Sequence, residues 1–404
     1  MQVGWQSEHG IVYHGKHEEV LPKLEANIID GLVTDGPYAN PNGILGETWD
    51  KMDGRRDRPG YEEKDPRNRL IQRLANGVNL KGDLGDMLAF FDFNYQWATE
   101  CLRIMKPGAW GLAFADGKTD DCLKMALRMA GFRIWATIPW IYTRGNLPHG
   151  MDLSKAIDKH LGMEREVIGY KKQSGMKFSQ VEGKAAHQGG FNDPSRKQFE
   201  ITAPASNAAN QWEGYNIALK RHQDLIVLFQ KPLSEKTYAA NILKWGTGGI
   251  NIGGCLLGEE ERWVPDIWTT DEETFPDGIP KYFLVAKASW AEKELGCEHL
   301  PLACAGGMEG TKDQSLKTGS GNVRNNQRHN SHPTVKPIEL LRYCVRLVRP
   351  PTPSPIILDH HLGSGTTAIA AHMEGCYFIG VEMTDAYQPI YTARLDHFVR
   401  KGAI

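Results

Sequence analysis

The chain has 404 residues, 41% of them hydrophobic and 24% charged, with a formal net charge of −2 from 47 Lys and Arg against 49 Asp and Glu. That length exceeds one ordinary domain, and that composition excludes both a disordered chain and a globally basic nucleic-acid coat protein. No apolar run reaches the roughly 20 residues of a membrane helix and no signal peptide opens the chain, so no membrane association is expected. The seven Cys are scattered without a Cys-x-x-Cys pair. This argues against a disulfide framework or a structural metal and fits the reducing cytoplasm.

In chain order, a short strand is predicted over 11–15 and a short helix over 18–24. A buried strand over 28–34 stops at Asp35-Gly36-Pro37-Tyr38. Residues 50–86, charged and rich in Gly and Arg, read as an insertion. A helix over 88–105 is expected to end at the terminator Lys106-Pro107-Gly108. A strand over 110–115, a helix over 118–130 ended by Gly131, and a long strand over 132–142 follow. Alternation of strands and helices implies parallel pairing in a doubly wound α/β sheet. Residues 145–215 are polar, with a helix over 153–161. A strand over 225–230 ends at Lys231-Pro232, and 233–330 reads as a mixed, loop-rich module with a turn at Trp245-Gly246-Thr247-Gly248-Gly249. A helix over 338–348 stops at Arg349-Pro350-Pro351. The sharpest unit comes last: a strand over 356–359, a turn over 360–365, a helix to about 375 and a strand over 377–382. No internal repeat is present.

Two constellations carry chemistry. In the last unit a strand ends in Asp359, the turn His361-Leu362-Gly363-Ser364-Gly365 follows, and Thr366-Thr367 opens a helix. Glycines let the backbone approach a ligand, and the helix start offers free N–H donors. The next strand ends in Glu382, about 20 residues on, where a carboxylate can take both hydroxyls of a ribose. The alternative is a Gly-rich turn that binds nothing. The second constellation is Thr34-Asp35-Gly36-Pro37-Tyr38. Here Asp35 and the Gly36 carbonyl could accept the two hydrogens of an amine on a flat ring, with Tyr38 stacked on the ring face. Its alternative is a simple Asp-Gly turn.

Taken together, these residues resemble the beta-class amino DNA methyltransferases frequent in phages, prophages and restriction-modification systems. That family runs from an Asp-Pro-Pro-Tyr catalytic motif, through a target-recognition region, to an Asp-Pro-Phe-x-Gly-Ser-Gly-Thr-Thr cofactor motif. The matching residues are Asp35-Gly36-Pro37-Tyr38 and Asp359-His360-His361-Leu362-Gly363-Ser364-Gly365-Thr366-Thr367. Between them His332-Pro333-Thr334-Val335-Lys336-Pro337 matches the segment that precedes the cofactor strand. Leu102-Arg103-Ile104-Met105-Lys106-Pro107-Gly108, Ala130-Gly131-Phe132 and Gln230-Lys231-Pro232-Leu233-Ser234-Glu235-Lys236-Thr237 agree as well. The resemblance spans nearly the whole chain.

What the resemblance implies is a mostly parallel, seven-stranded, Rossmann-like sheet with inserted DNA-recognition elements, its strand from Leu225 antiparallel to that from Phe132. The catalytic half would be 1–144 with 216–232, the target-recognition elements 145–215 and 233–330, and the cofactor half 331–404. S-adenosylmethionine would be the cofactor and double-stranded DNA the partner; oligomeric state stays open, a homodimer included. Asp35, Gly36, Pro37 and Tyr38 would act on an exocyclic base amine. Lys16, Lys336, Asp359 to Thr367 and Glu382 would line the cofactor site. Basic residues Arg55, Arg56, Arg58, Arg324 and Arg328 would meet DNA, unless their segments are ordinary solvated faces. An acid at the first motif position points to adenine N6 over cytosine N4, and without a Pro-Cys motif carbon-5 methylation is disfavoured. The family pattern is broken at three places: Gly36 for its first Pro, His360-His361 for Pro-Phe, and Lys16 for an Asp that would meet the cofactor's adenine amine. They leave open a carboxylated variant of the donor, drawn by added positive charge, or a pocket that only binds DNA.

Overall fold

The computed structural model describes residues 1–38, 83–142, 151–171, 199–219, 222–256, 263–269, 287–304 and 327–402. Strands β1 (Gln2–Ser7) and β2 (Gly10–His14) form an antiparallel hairpin, and a short helix α1 (His17–Val20) leads on to β3 (Ile29–Thr34). Helix α2 (Asp83–Ile104) abuts β4 (Met105–Ala115), followed by α3 (Asp120–Ala130) and β5 (Arg133–Ile141). Helix α4 (Leu153–His160), the β6 (Val167–Lys171) and β7 (Phe199–Thr202) hairpin, and α5 (Asn207–Gln211) belong to a separate unit, 144–222. The chain then adds β8 (Gln223–Gln230), α6 (Tyr238–Trp245), β9 (Trp268–Thr269), α7 (Trp290–Glu294), β10 (Ala303–Cys304) and β11 (Gln327–Arg328). It closes with α8 (Ile338–Val348), β12 (Ile356–Asp359), α9 (Thr366–Met373), β13 (Tyr377–Glu382) and α10 (Gln388–Leu395).

The main sheet runs β1-β2-β13-β12-β3-β4-β8-β5-β9. From β2 to β4 every pairing is parallel, and β8 is antiparallel to both β4 and β5, as expected for the strand from Leu225. The expectation of seven strands is corrected to nine among the described residues. Each added edge strand is held by a buried tryptophan. On β1, Trp5 stacks on Phe378 at 5.6 Å and donates its indole N–H to Asp396. On β9, Trp268 packs edge-on against Tyr343 at 5.2 Å.

Central strands are buried on both faces, which is what helices on both sides of a parallel sheet require. Val33 and Ile357 join the core under α8 and α9, while their neighbours Leu32 and Leu358 join the core under α2 and α3. The expected terminator Lys106-Pro107-Gly108 is a second correction. The helix ends at Ile104, and these three residues lie inside β4 as an irregularity, where the register against β3 jumps from Ile29↔Met105 to Gly31↔Trp110. The Pro107 carbonyl accepts from Asn241 and Thr247, and a Cβ on Gly108 would come within 2.6 Å of Asn241 Nδ2. Asn241 sits on α6, a helix inside the stretch expected to be loop-rich, capped by the Thr237 hydroxyl and ended by Gly246 at φ +73°.

The β4–β8 pairing sets Gly111 opposite Phe229, and a Cβ on Gly111 would come within 2.3 Å of that ring, itself wedged edge-on to Phe132 at 5.0 Å. Gly111→Ala is therefore expected to lower stability by about 1–3 kcal/mol through overpacking. An unchanged urea midpoint would refute this packing.

Candidate catalytic and cofactor site

Strands β3 and β12 are hydrogen-bonded neighbours, so the turns after Thr34 and Asp359 leave the same end of the sheet side by side. The Thr34 hydroxyl donates to Asp359 Oδ1 at 2.8 Å, the His361 amide donates to the same oxygen at 3.0 Å, and Thr367 also bonds this carboxylate. Burial pushes the Asp359 carboxyl up to about 6, and the nearby Asp35 charge adds to that rise against these hydrogen bonds.

At the first turn, the Tyr38 hydroxyl donates to Asp35 Oδ1 at 2.9 Å. The Lys336 ammonium donates to Asp35 Oδ2 at 2.5 Å and to the Tyr38 oxygen at 3.2 Å. Lys336, expected among the cofactor residues, thus stands on the Asp35 turn. Its segment bridges both turns, because His332 packs on Gly363: a Cβ there would come within 2.7 Å of His332 Nε2. Burial, with Arg394, Lys336 and Lys293 adding to it, takes the His332 imidazole down to about 3, so the ring is neutral.

The glycine turn has Gly363 at φ +55° and Gly365 at φ +83°, a backbone that side chains resist. The Gly363 amide donates to Glu382 Oε2 at 2.7 Å and the Thr384 amide to Glu382 Oε1 at 2.8 Å, so this buried carboxylate stands at the end of β13 with lone pairs to spare. The N-cap of α9 is Gly365, which has no side chain to bond the helix's first amides. Leu362, Ser364, Thr366 and Thr367 are buried. One buried residue that sequence reasoning missed, Arg394 of α10, donates from Nη1 to the Ser364 carbonyl, the Ser364 hydroxyl and the Thr366 hydroxyl, each at 2.9 Å. A single charge in an otherwise uncharged helix gives no sequence signal of that role.

His360 and His361 fill the wall beneath the turns. Their rings lie 4.3 Å apart, with Trp97 4.5 Å from His360, Phe93 5.5 Å from His361, and His17 5.2 Å from His361. Burial first, and then the neighbouring imidazoles, keeps both rings well below their ordinary value; burial lowers His17 too. The added positive charge that a carboxylated donor would call for is thus absent from His360 and His361. Lys16 is exposed just ahead of α1. Among the described residues no His, Cys, Asp and Glu group is placed to hold a metal, and no helix is long and apolar enough to cross a membrane. Of the expected DNA contacts, Arg328 lies on β11, while Arg55, Arg56, Arg58 and Arg324 fall outside the described residues.

A family model of the N6/N4 type, described as DNA methylase, matches residues 29–393. Among solved structures, the cytosine-N4-specific PvuII DNA methyltransferase is similar at 11% identity and a TM-score of 0.47, over 97% of this chain and 88% of that one. The TTHA0409 protein of Thermus thermophilus, a putative DNA modification methylase complexed with S-adenosyl-L-methionine, is similar at 15% identity and a TM-score of 0.41, over 96% of this chain and 95% of that one. The M1.HpyAVI–SAM complex is similar at 12% identity and a TM-score of 0.37, over 95% of this chain and 98% of that one.

Because the folded rings resist protonation, the unfolded chain takes up protons first as pH drops below the ordinary imidazole value of about 6.5, and stability falls with it. Asp359 has the opposite sign, but only between about 4 and its folded value of about 6. Between pH values of about 7.5 and about 6 the histidines dominate. His360→Phe should flatten the fall in melting stability there by up to about 1.4 kcal/mol per pH unit. Equal slopes for both proteins in pH-dependent melts would refute neutral burial of His360.

Proposed function

The chain belongs to the N6/N4 DNA methylase family, an S-adenosylmethionine-dependent DNA methyltransferase class, and we propose that it methylates the exocyclic amine of a base flipped from duplex DNA, adenine N6 before cytosine N4. One observation carries the reading: the Asp35 carboxylate and the Gly36 backbone stand at the end of β3, next to the glycine turn after β12. An amine lying inside a duplex has to leave the stack before it can reach such groups. Asp35 and the Gly36 carbonyl would accept its two hydrogens and turn the nitrogen lone pair outward; Pro37 stiffens the turn and Tyr38 borders the base. Positioning of this kind supplies much of the acceleration in a direct displacement.

The residues fit the cofactor. Gly363 and Gly365 hold the left-handed backbone that lets the turn pack closely under His332 and Tyr391, and Glu382, which takes the Gly363 amide, keeps acceptor capacity for ribose hydroxyls. When bound, S-adenosylmethionine supplies an electrophilic methyl group on its sulfonium. Asp359 acts indirectly, by holding Thr34 and the turn amide; Ser364, Thr366 and Thr367 form the helix start. With His360 and His361 neutral, Lys16 is what remains of the three departures to favour a carboxylated donor. Burial raises the Cys101, Cys255, Cys297, Cys344 and Cys376 thiols, which disfavours thiolate chemistry at these five. The acidic first motif position is what puts adenine ahead of cytosine.

If Asp35 orients the amine, Asp35→Ala should abolish base modification and leave DNA and cofactor binding nearly intact, since the loss falls on the chemical step. Mass spectrometry of digested DNA reads this directly and distinguishes N6-methyladenine, N4-methylcytosine and carboxymethyl products. A variant as active as wild type would remove Asp35 from the mechanism, and a wild type that binds duplex but modifies nothing would leave a binding module. In the recognition reading, residues 145–215 and 233–330 read sequence while Arg55, Arg56, Arg58, Arg324 and Arg328 meet phosphates. Replacing Arg55, Arg56 and Arg58 with Gln should weaken binding to every duplex and lower the log–log salt slope by up to about 3. An unaltered salt slope would make that segment a solvated loop.

A further inference from the structure

Lys336 closes a ring of three hydrogen bonds with Asp35 and Tyr38: ammonium to Asp35 Oδ2, ammonium to the Tyr38 oxygen, and Tyr38 hydroxyl to Asp35 Oδ1. The ammonium also lies 4.8 Å from the Phe114 ring centre and 5.3 Å from that of Tyr38, and the residue is 8% exposed. Its backbone has little freedom. Pro337 caps α8, the Ile338 amide donates to Glu292 Oε1 at 2.7 Å, and His332, earlier in the same segment, is packed on Gly363 and against Tyr387.

We infer that Lys336 is a positioning residue of the catalytic turn, fixing the rotation of the Asp35 carboxylate and the place of the Tyr38 hydroxyl. The inference rests on the reading of Asp35 as acceptor of the base amine. An ionised carboxylate has about four lone-pair sites. Lys336 and Tyr38 occupy one on each oxygen, so the remaining sites can meet the amine only in the orientation this pair sets. Charge matters as well. As the nitrogen lone pair takes the methyl group, the methyl carbon's bond to the donor's sulfonium sulfur would break with its electron pair staying on sulfur as a neutral thioether. The now cationic nitrogen would pass its extra proton to Asp35 and on to water. An ammonium paired with Asp35 leaves the local sum near zero, so the carboxylate is held without a net positive field at the reacting nitrogen. Being a point donor with three N–H groups, Lys336 can serve Asp35 and Tyr38 at once; arginine could do so with its planar fork, methionine not at all.

The competing role is a cofactor ligand, as the position of Lys336 in the segment before the cofactor strand suggests. The two roles separate in kinetics. With the full chain, unmethylated plasmid DNA and tritiated S-adenosylmethionine, Lys336→Met should lower the single-turnover rate at saturating donor on the order of 100-fold, the effect of a misplaced reacting group. Donor affinity, measured by titration calorimetry, should stay within about two-fold, and Lys336→Arg should recover on the order of ten-fold of the lost rate. Thermal melts check that each variant folds; if Lys336→Met does not, Lys336→Gln, which keeps a donor but no charge, takes its place with the same expected loss. A normal rate at saturating donor combined with weakened donor affinity would overturn the inference in favour of a cofactor ligand. A variant with wild-type rate and affinity would overturn it outright. If wild type itself transfers no methyl, the proposed function fails and this inference with it, an outcome distinct from an active wild type whose rate ignores Lys336.

Discussion

The bond from the Thr34 hydroxyl to the buried Asp359 carboxylate joins residues 325 apart in sequence, and the candidate site depends on it. It ties the ends of two adjacent parallel strands, each of which opens into a turn with its own chemistry. A parallel sheet places all such turns at one end, and a buried carboxylate accepting several hydrogen bonds fixes how far apart they can move. Asp359 therefore acts as a clamp between the two turns. Thr34 reaches it from one strand end, the His361 amide and Thr367 from the other, and removal of any one partner would leave a buried acceptor less well satisfied.

A second layer of ties leads away from that clamp. The Glu382 carboxylate takes the Gly363 amide, Arg394 takes the Ser364 and Thr366 oxygens, and Lys336 takes Asp35. All three come from chain segments C-terminal to the Asp35 turn, and the segment from His332 to Pro337 touches both turns at once. The two halves of the site are thus coupled through short hydrogen bonds to groups with little exposure, where a weak dielectric screen makes each bond count for more than it would at the surface. This explains how a turn with glycine at position 36 keeps a defined shape: its rigidity comes from what Asp35 and Tyr38 hold on to.

Much of this was legible from sequence because local rules and global packing agree. The helix over 338–348 and the strands over 356–359 and 377–382 have their expected bounds, since Pro350, the Gly363 turn and Gly375 punctuate apolar runs of clear period. The two turns were likewise visible as strand ends rich in Gly. What was not visible depends on tertiary partners. β1 alternates too weakly to announce itself, and its placement follows from Trp5 finding Phe378. Lys106-Pro107-Gly108 is a terminator by local rule, yet α6 supplies a side chain that satisfies its backbone and lets the strand run through it. Lys336 meets Asp35 across 301 residues, and no spacing rule reaches that far.

The departures from the family pattern are also clearer in three dimensions, because two of them touch. A Cβ on Gly36 would sit 3.1 Å from His361 Nδ1 and 3.4 Å from its Cε1, tighter than an ordinary van der Waals contact. Glycine at 36 gives the imidazole at 361 its space, so these positions behave as one packing unit. The ring in turn has Phe93 and His17 on its other sides and His360 beside it, so it cannot swing away to admit a side chain at 36. His360 replaces proline with a ring that Trp97 covers, and burial leaves both imidazoles uncharged. The substitutions that looked from sequence like a change in the charge of the cofactor pocket are, in the fold, a change in the shape of the wall that carries the Asp35 turn. Lys16, exposed and one residue ahead of the His17 ring that lines that wall, is the departure that alters charge, and it stands apart from the other two in effect.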